Sequence, residues 1–232
     1  MIEVKGLAHS FRVGKKGKET EVPVLKGLTL QAADGEIVSI VGRSGSGKST
    51  LLHILAGFLQ PDRGQVLVDG TDLTAMTEAQ RAAYRLDHFG FVFQNFQLMP
   101  GLTAFENVEL PLTLKGVPAA ERRRKVEELL KNVGLSDIRS HYPNELSGGQ
   151  QQRVGIARAL ITEPPIIFAD EPTGSLDSET EQDILLLIQS LNRTYGITFV
   201  IITHDDEVAA IADRTYRMHD GELAEGGLRH VI

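Results

Sequence analysis

The chain has 232 residues, 41% hydrophobic and 24% charged, with a formal net charge of −7; that length buries one large core, or a core plus a subdomain. The acidic balance excludes a general nucleic-acid-binding or anionic-membrane surface, which needs a positive field over many phosphates. The absence of cysteine excludes disulfides and thiolate metal sites, no apolar run approaches the ~20 residues of a membrane span, and MIEVKGLAHS at 1–10 lacks a signal-peptide core, so a cytoplasmic chain is expected, with any membrane role through a partner.

Short β-rich runs fill the opening at 2–11, 24–32, 36–41 and 65–70, broken by turns at 34–35 (DG) and 61–64 (PDRG). The basic stretch 12–19 (RVGKKGKE) reads as a hairpin tip, because a local charge run is ordinarily solvated. The apolar run 37–41 (IVSIV) then leads into 42–50, GRSGSGKST, and a helix over 48–57. A strand, a Gly/Ser loop and a helix in this order leave successive backbone N–H groups unshielded in one concavity, which binds an anion. Gly42, Gly45 and Gly47 permit the positive φ and close approach that a wrapped phosphate demands, and the helix start adds partial positive charge. The spacing G-x-x-x-x-G-K-[ST] is met by Gly42, Gly47, Lys48 and Ser49. In that pattern the lysine reaches the β and γ phosphates and the hydroxyl of Ser49 sits on Mg²⁺, so the loop predicts a bound nucleoside triphosphate.

From about 94 to 162 the character turns helical. Over 119–134, Val126, Leu129, Leu130 and Val133 recur at i, i+3, i+4 and i+7 with charges on the other face, and Gly134 can cap the end. A second helix, 147–162, opens on Ser147. Within 146–150, LSGGQ, Gly148 and Gly149 bare backbone N–H groups at a helix start and Ser147 offers a hydroxyl. This is a second nest of the phosphate-binding kind, with an N-capped helix as the plainer alternative. Alternation then resumes with strand 166–170 (IIFAD), helix 178–194, strand 198–203 and helix 205–212, which implies a mostly parallel sheet with ligand at the strand C-termini. Asp170 and Glu171 stand at such an end. There Asp170 would hold Mg²⁺ through water, and Glu171 would polarise the water attacking the γ-phosphate. Two nests on separate lobes hardly fold onto one triphosphate, so a second copy of the chain is implied, with two ATP molecules sandwiched between.

Taken together and in order, these motifs resemble the ATP-binding cassette of ABC transporters from end to end. The stretch 42–50 matches the Walker A motif, with Ser44, Ser46 and Thr50 completing the nucleotide loop; Gln94 matches the Q-loop and 146–150 the signature. The stretch 166–171 (IIFADE) matches Walker B, 175–177 (SLD) the D-loop, and His204 the switch histidine. The resemblance implies a P-loop α/β cassette: a RecA-like parallel sheet core with an antiparallel β subdomain, over about 1–93 and 163–232, and an inserted α-helical signature subdomain over about 94–162. It implies an ATPase with ATP and Mg²⁺ as cofactors, working as a head-to-tail homodimer on an integral membrane permease at the cytoplasmic face of the cell membrane. Glu171, His204, Gln94 and Lys48 become the catalytic set, with Gln94 also touching Mg²⁺ and reporting to the membrane subunit, and His204 contacting the γ-phosphate. Ser147, Gly148, Gly149 and Gln150 would meet the partner's ATP, and Asp177 would lie at the dimer seam. Phe11 matches the aromatic that stacks on adenine, where the family more often has Tyr; a core phenylalanine is the alternative.

The stretches 91–112 and 169–177 further resemble the group that serves lipoprotein release, macrolide export, antimicrobial-peptide resistance and haem efflux, whose members typically read Asn where Ser175 stands. That resemblance implies export or extraction of a hydrophobic or amphipathic cargo, and makes Glu106, Asn107 and Leu110 to Leu114 candidates for the groove that receives a permease coupling helix, against ordinary helix packing. A regulatory cell-division cassette signalling across the membrane is the alternative function. A DNA-repair or translation cassette would bring a long coiled-coil insertion, a zinc module or two cassettes in one chain, none of which the sequence contains.

Overall fold

Alternating buried and exposed side chains set the first two strands, β1 (Ile2–Lys15) and β2 (Lys18–Ala32), which pair antiparallel from Ile2 opposite Ala32 to Lys15 opposite Lys18 in this computed structural model. The structure describes residues 1–15 and 18–228; the Lys16–Gly17 part of the expected hairpin tip lies outside them. β4 (Arg63–Val68) pairs with the other edge of β1, and the short β5 (Thr71–Asp72) with β4, giving the order β2-β1-β4-β5. Ile2, Val4, Leu7, Leu25, Leu28, Leu30, Val66 and Val68 bury its inner face.

The chain divides into two compact units, Met1–Ala83 with Thr198–Ile232, and Tyr84–Ile197. In the first, β3 (Ile37–Val41) runs parallel to both β8 (Thr198–Thr203) and β9 (Arg214–His219), and β10 (Glu222–Leu228) closes antiparallel on β9. All five residues of β3 and all six of β8 are buried, as strands covered on both faces require. Helix α1 (Lys48–Leu55) follows β3 and buries Leu51, Leu52, Ile54 and Leu55. α7 (Asp206–Ala210) follows β8.

Helix α2 (Glu78–His88) buries no residue and was not legible from its pattern. In the second unit β6 (Phe89–Phe93) and β7 (Ile166–Asp170) pair in parallel, with α3 (Ala104–Leu114), α4 (Ala119–Asn132), α5 (Gly148–Leu160) and α6 (Ser178–Tyr195) around them. The helical stretch expected over about 94–162 lies inside this unit. Its core takes Ala104, Val108 and Leu112 from α3, Val126, Leu130 and Val133 from α4 and just after it, and Val154, Ala157 and Ile161 from α5 and its end. The stripe read from 119–134 is therefore the face that packs, and Gly134, at φ 74°, follows the helix end. α5 rests so closely on β6 that a Cβ on Gly90 would come within 2.4 Å of the Ala159 carbonyl oxygen.

The expected coupling groove is corrected by this core. Leu112 is 3% exposed and Asn107 fully buried. The Asn107 amide accepts from Met99 N at 2.7 Å and donates to the carbonyls of Leu102 and Thr103, both at 3.0 Å. It pins the loop before α3, and neither side chain can line a groove. Glu106, exposed in the capping box that Thr103 opens, and Leu114, 68% exposed, remain at the surface. Leu112→Ala is expected to cost about 2–5 kcal/mol through lost burial and a residual cavity, read as a lower urea midpoint.

Candidate functional site

Loop 42–47 starts where β3 runs out. Gly42 N donates to the Thr203 carbonyl at the end of β8 (3.2 Å), and Ser46 N to the Arg43 carbonyl (3.2 Å). A side chain at Gly42 has no space: its Cβ would lie 2.4 Å from the Met218 carbonyl oxygen and 2.8 Å from Ser46 Oγ. Gly47 is left-handed (φ 106°) at the N-cap of α1, which has no side-chain cap and no acidic residue in its first turn. The first N–H groups of α1 and its partial positive charge therefore face the loop with nothing negative supplied by the helix itself.

Lys48 is buried, and its Nζ donates to the carbonyls of Gly42 (2.5 Å) and Arg43 (3.2 Å), so the ammonium spans the loop from inside. Ser46 Oγ is buried with no hydrogen-bond partner among the described residues. Ser44, Gly45 and Ser49 are exposed and Thr50 half-buried. A row of backbone donors, an orphan hydroxyl and a cation in one loop suit a polyanion with several oxygens. Among the described residues no group of three His, Cys, Asp or Glu stands together to hold a metal. Mg²⁺ that takes most of its oxygens from phosphates and water asks only for one or two protein ligands, and the exposed Ser49 hydroxyl is of the kind such an ion takes.

Two further candidates belong to this unit. Phe11, opposite Val22 on β2, is 42% exposed, its ring edge-on to buried His9 at 4.8 Å. It is no core residue, and its open face suits a planar ring. His204 is exposed one residue beyond the Thr203 that receives Gly42, and Asp205 after it caps α7 by accepting from Glu207 N at 2.7 Å.

In the second unit β7 ends at Asp170, and Glu171 takes a left-handed backbone (φ 46°), unusual for a residue with a side chain. Such strain gathers at functional positions. The turn closes with Gly174 N donating to the Glu171 carbonyl at 3.1 Å. Four side chains then hold residues 172–175: Gln152 of α5 donates to the Pro172 carbonyl, Gln94 to the Gly174 carbonyl (3.4 Å), Thr173 bonds Glu181 (2.6 Å), and Ser175 bonds Asn95 (3.4 Å). Gln94 and the Glu171 turn, 80 residues apart, are thus brought together. Asp177 caps α6, and the N–H and hydroxyl of Thr180 hold its carboxyl below the ordinary range.

The LSGGQ stretch is at once a cap and an open helix start. Ser147 Oγ accepts from Gln150 N at 3.2 Å while Gln150 Oε1 accepts from Ser147 N at 2.9 Å. The Ser147 hydroxyl proton and the N–H groups of Gly148 and Gly149 are left by this box, so a cap does not preclude an anion. Sequence reasoning missed Gln152 and Arg158, also on α5; their backbone partners lie 20 and about 60 residues away along the chain, where no local pattern reports them.

Residues 25–174 match the family model described as ABC transporter. The chain is 62% identical over 226 residues to the ABC transporter ATP-binding protein YtrE of Bacillus subtilis, spanning 97% of this chain and 98% of that protein. It is 48% identical over 228 residues to the macrolide export ATP-binding/permease protein MacB of Rhodopirellula baltica, covering 97% of this chain but 33% of that protein. Among solved structures, the dimeric ATP-binding cassette MJ0796 in a post-hydrolysis state bound to ADP and Pi superposes with a TM-score of 0.89 at 43% identity, covering 100% of both chains.

Gly42→Ala is expected to destabilise the folded chain by about 1–3 kcal/mol, since the new methyl must push backbone rather than a side-chain tip. Chemical denaturation without nucleotide measures it.

Proposed function

This chain belongs to the ABC transporter family, and on that premise we propose the residues by which it binds ATP, hydrolyses it and drives a membrane permease. It is an ATP-binding cassette ATPase of mixed α/β fold, with parallel and antiparallel sheets. The observation that carries the reading is the loop at 42–50: uncapped helix, buried Lys48 and orphan Ser46 hydroxyl are one incomplete anion site.

On this reading the N–H groups from Gly42 to Lys48 wrap the β and γ phosphates of ATP, with Ser44, Ser46 and Thr50 as hydroxyl contacts and Phe11 under the adenine. Lys48 turns its ammonium from the loop carbonyls to phosphate oxygens, a stronger charge-assisted partner. Ser49 and Asp170, the latter through water, are the residues that would hold Mg²⁺, and Gln94 is assigned to the same ion. When bound, Mg²⁺ neutralises charge on the β and γ oxygens. Glu171 accepts a proton from water as its oxygen bonds the γ phosphorus and the bond to the β–γ bridging oxygen breaks, leaving ADP and phosphate. His204 is assigned to the γ-phosphate.

A head-to-tail homodimer would bring Ser147, Gly148, Gly149 and Gln150 of one copy to the ATP of the other, with Asp177 at the seam; the dimeric MJ0796 cassette supports this. We assign about 94–162 as the helical signature subdomain, and about 1–93 with 163–232 as the catalytic core. No helix among the described residues is long and apolar enough to cross a membrane. Association with the cytoplasmic face would come through a permease, a pairing supported by the joint ATP-binding/permease name of MacB. Exposed Glu106, Thr113 and Leu114, with half-buried Leu110 and Pro111, are the groove residues left to receive it. The cargo class proposed is hydrophobic or amphipathic, exported or extracted.

Glu171→Gln is expected to keep ATP binding and slow hydrolysis by roughly 10²–10⁴-fold, the worth of a positioned general base. With ATP and Mg²⁺ it should elute as a dimer in size-exclusion chromatography; a wholly monomeric variant of intact affinity contradicts the sandwich.

Lys48→Ala acts earlier, removing the loop's buried cation. Titration with a fluorescent nucleotide should show binding lost, and unchanged affinity contradicts the assignment.

A further inference from the structure

The segment after Gln94 turns back through two consecutive non-glycine residues in left-handed backbone, Phe96 (φ 57°) and Gln97 (φ 46°). That conformation is disfavoured for any residue with a Cβ and persists only where the surroundings impose it. Phe96 N donates to the Phe93 carbonyl (3.1 Å) and Gln97 N to the Asn95 carbonyl (2.5 Å), and the side chain that adds to this restraint is Arg158, near the C-terminal end of α5. Its Nη1 donates to the Gln97 carbonyl at 2.6 Å and its Nη2 to the Phe96 carbonyl at 2.8 Å. Among the described residues no carboxylate pairs with this guanidinium, and burial holds its pKa below the ordinary arginine value. It stays charged, and its planar fork fits two adjacent carbonyls in a way a single ammonium does not.

Phe96 also lies along the same helix. Its carbonyl oxygen is 3.7 Å from where a Cβ of Gly155 would stand, and its ring Cζ 3.7 Å from the corresponding point on Gly148. The turn therefore touches α5 at its start, its middle and its end. α5 is the helix that Ser147 opens, and the turn is continuous with Gln94, which reaches the Gly174 carbonyl beyond Glu171.

We infer that Arg158 is a positioning residue for ATP hydrolysis, whose guanidinium clamps the Phe96–Gln97 turn onto the signature helix so that Gln94 and Ser147 move as one rigid piece. This rests on the ATPase reading above. Arg158 touches neither nucleotide nor water in the scheme; it acts through the backbone that carries Gln94.

The purified chain with ATP and Mg²⁺ tests this by steady-state hydrolysis, nucleotide titration and thermal melting. Arg158→Lys keeps charge and stem but loses the fork, and is expected to lower kcat about tenfold while KM for ATP stays within about twofold, because the loop at 42–50 is untouched. Adding Gln97→Gly makes the positive φ freely accessible, so the double variant should recover to within about threefold of wild type. A lysine variant that melts and hydrolyses like wild type overturns the inference. So does a KM that rises in step with the fall in kcat, or a double variant no faster than the single one. Should Arg158→Lys fail to fold, Gln97→Val, exposed and with the arginine intact, approaches from the other side. A β-branched residue resists φ near 46°, so kcat should fall at unchanged KM, and a wild-type kcat overturns the clamp. A wild-type chain that binds ATP without hydrolysing it overturns the ATPase reading, and this inference with it; an active wild type with indifferent variants overturns the clamp alone.

Discussion

A polyanion can be held by backbone only if consecutive N–H groups converge and no side chain stands among them. That demand falls hardest on Gly42. The Met218 carbonyl closes over it and Thr203 takes its N–H, so three strands of the first unit, β3, β8 and β9, are fixed around one position without a Cβ. Parallel pairing of these strands puts their C-terminal ends on one side, and the full burial of β3 and β8 anchors that edge. Lys48 then has a fixed frame to lie in, and α1 a fixed direction in which to point its first turn.

The second unit solves a different problem, that of holding a strained carboxylate. Glu171 stands in left-handed backbone, and the residues after it are tied down from α5, from α6 and from the segment at 94–95. Few of these ties involve charge. Gln152 and Gln94 donate to backbone carbonyls and Ser175 to the Asn95 amide, all neutral groups, and only Thr173 donates to a carboxylate, that of Glu181, so geometry is specified at little cost in desolvation. Ser175 takes part in one of them, to Asn95, at the position where the resemblance read from the sequence leads one to expect asparagine. Substitution there leaves a polar partner in place and does not disturb Asp177, whose carboxylate is committed to the cap of α6.

The chemistry of the loop at 42–50 was legible because it depends on spacing alone. Strands β3, β7 and β8 were legible because burial on both faces demands unbroken apolar runs, and the stripe Val126, Leu130 and Val133 because a helix packed on one side must repeat it. α2 was not, since its polar composition and lack of a single buried residue gave no apolar run to read. Leu112 and Leu114 read alike, two residues apart on one helix, yet they are 3% and 68% exposed. Only the packing of α4 and α5 on α3 tells them apart. Asn107 looked like a surface polar group and proved to be a buried staple, because its partners are backbone carbonyls whose place depends on a loop. Arg158 shows the same limit: a side chain that serves distant backbone leaves no mark in local sequence.

The uncapped start of α1, with a buried hydroxyl lacking a partner beside it, has a consequence for the life of the chain in a cell. On the proposed reading, nucleotide would supply the missing cap. A ligand that binds the folded form alone adds stability as the logarithm of its concentration over its dissociation constant, about 2.7 kcal/mol at a hundredfold excess. On the ATP-binding reading, a chain stripped of nucleotide would then carry a larger unfolded fraction than a loaded one. Resistance to proteolysis would follow nucleotide occupancy in the same way.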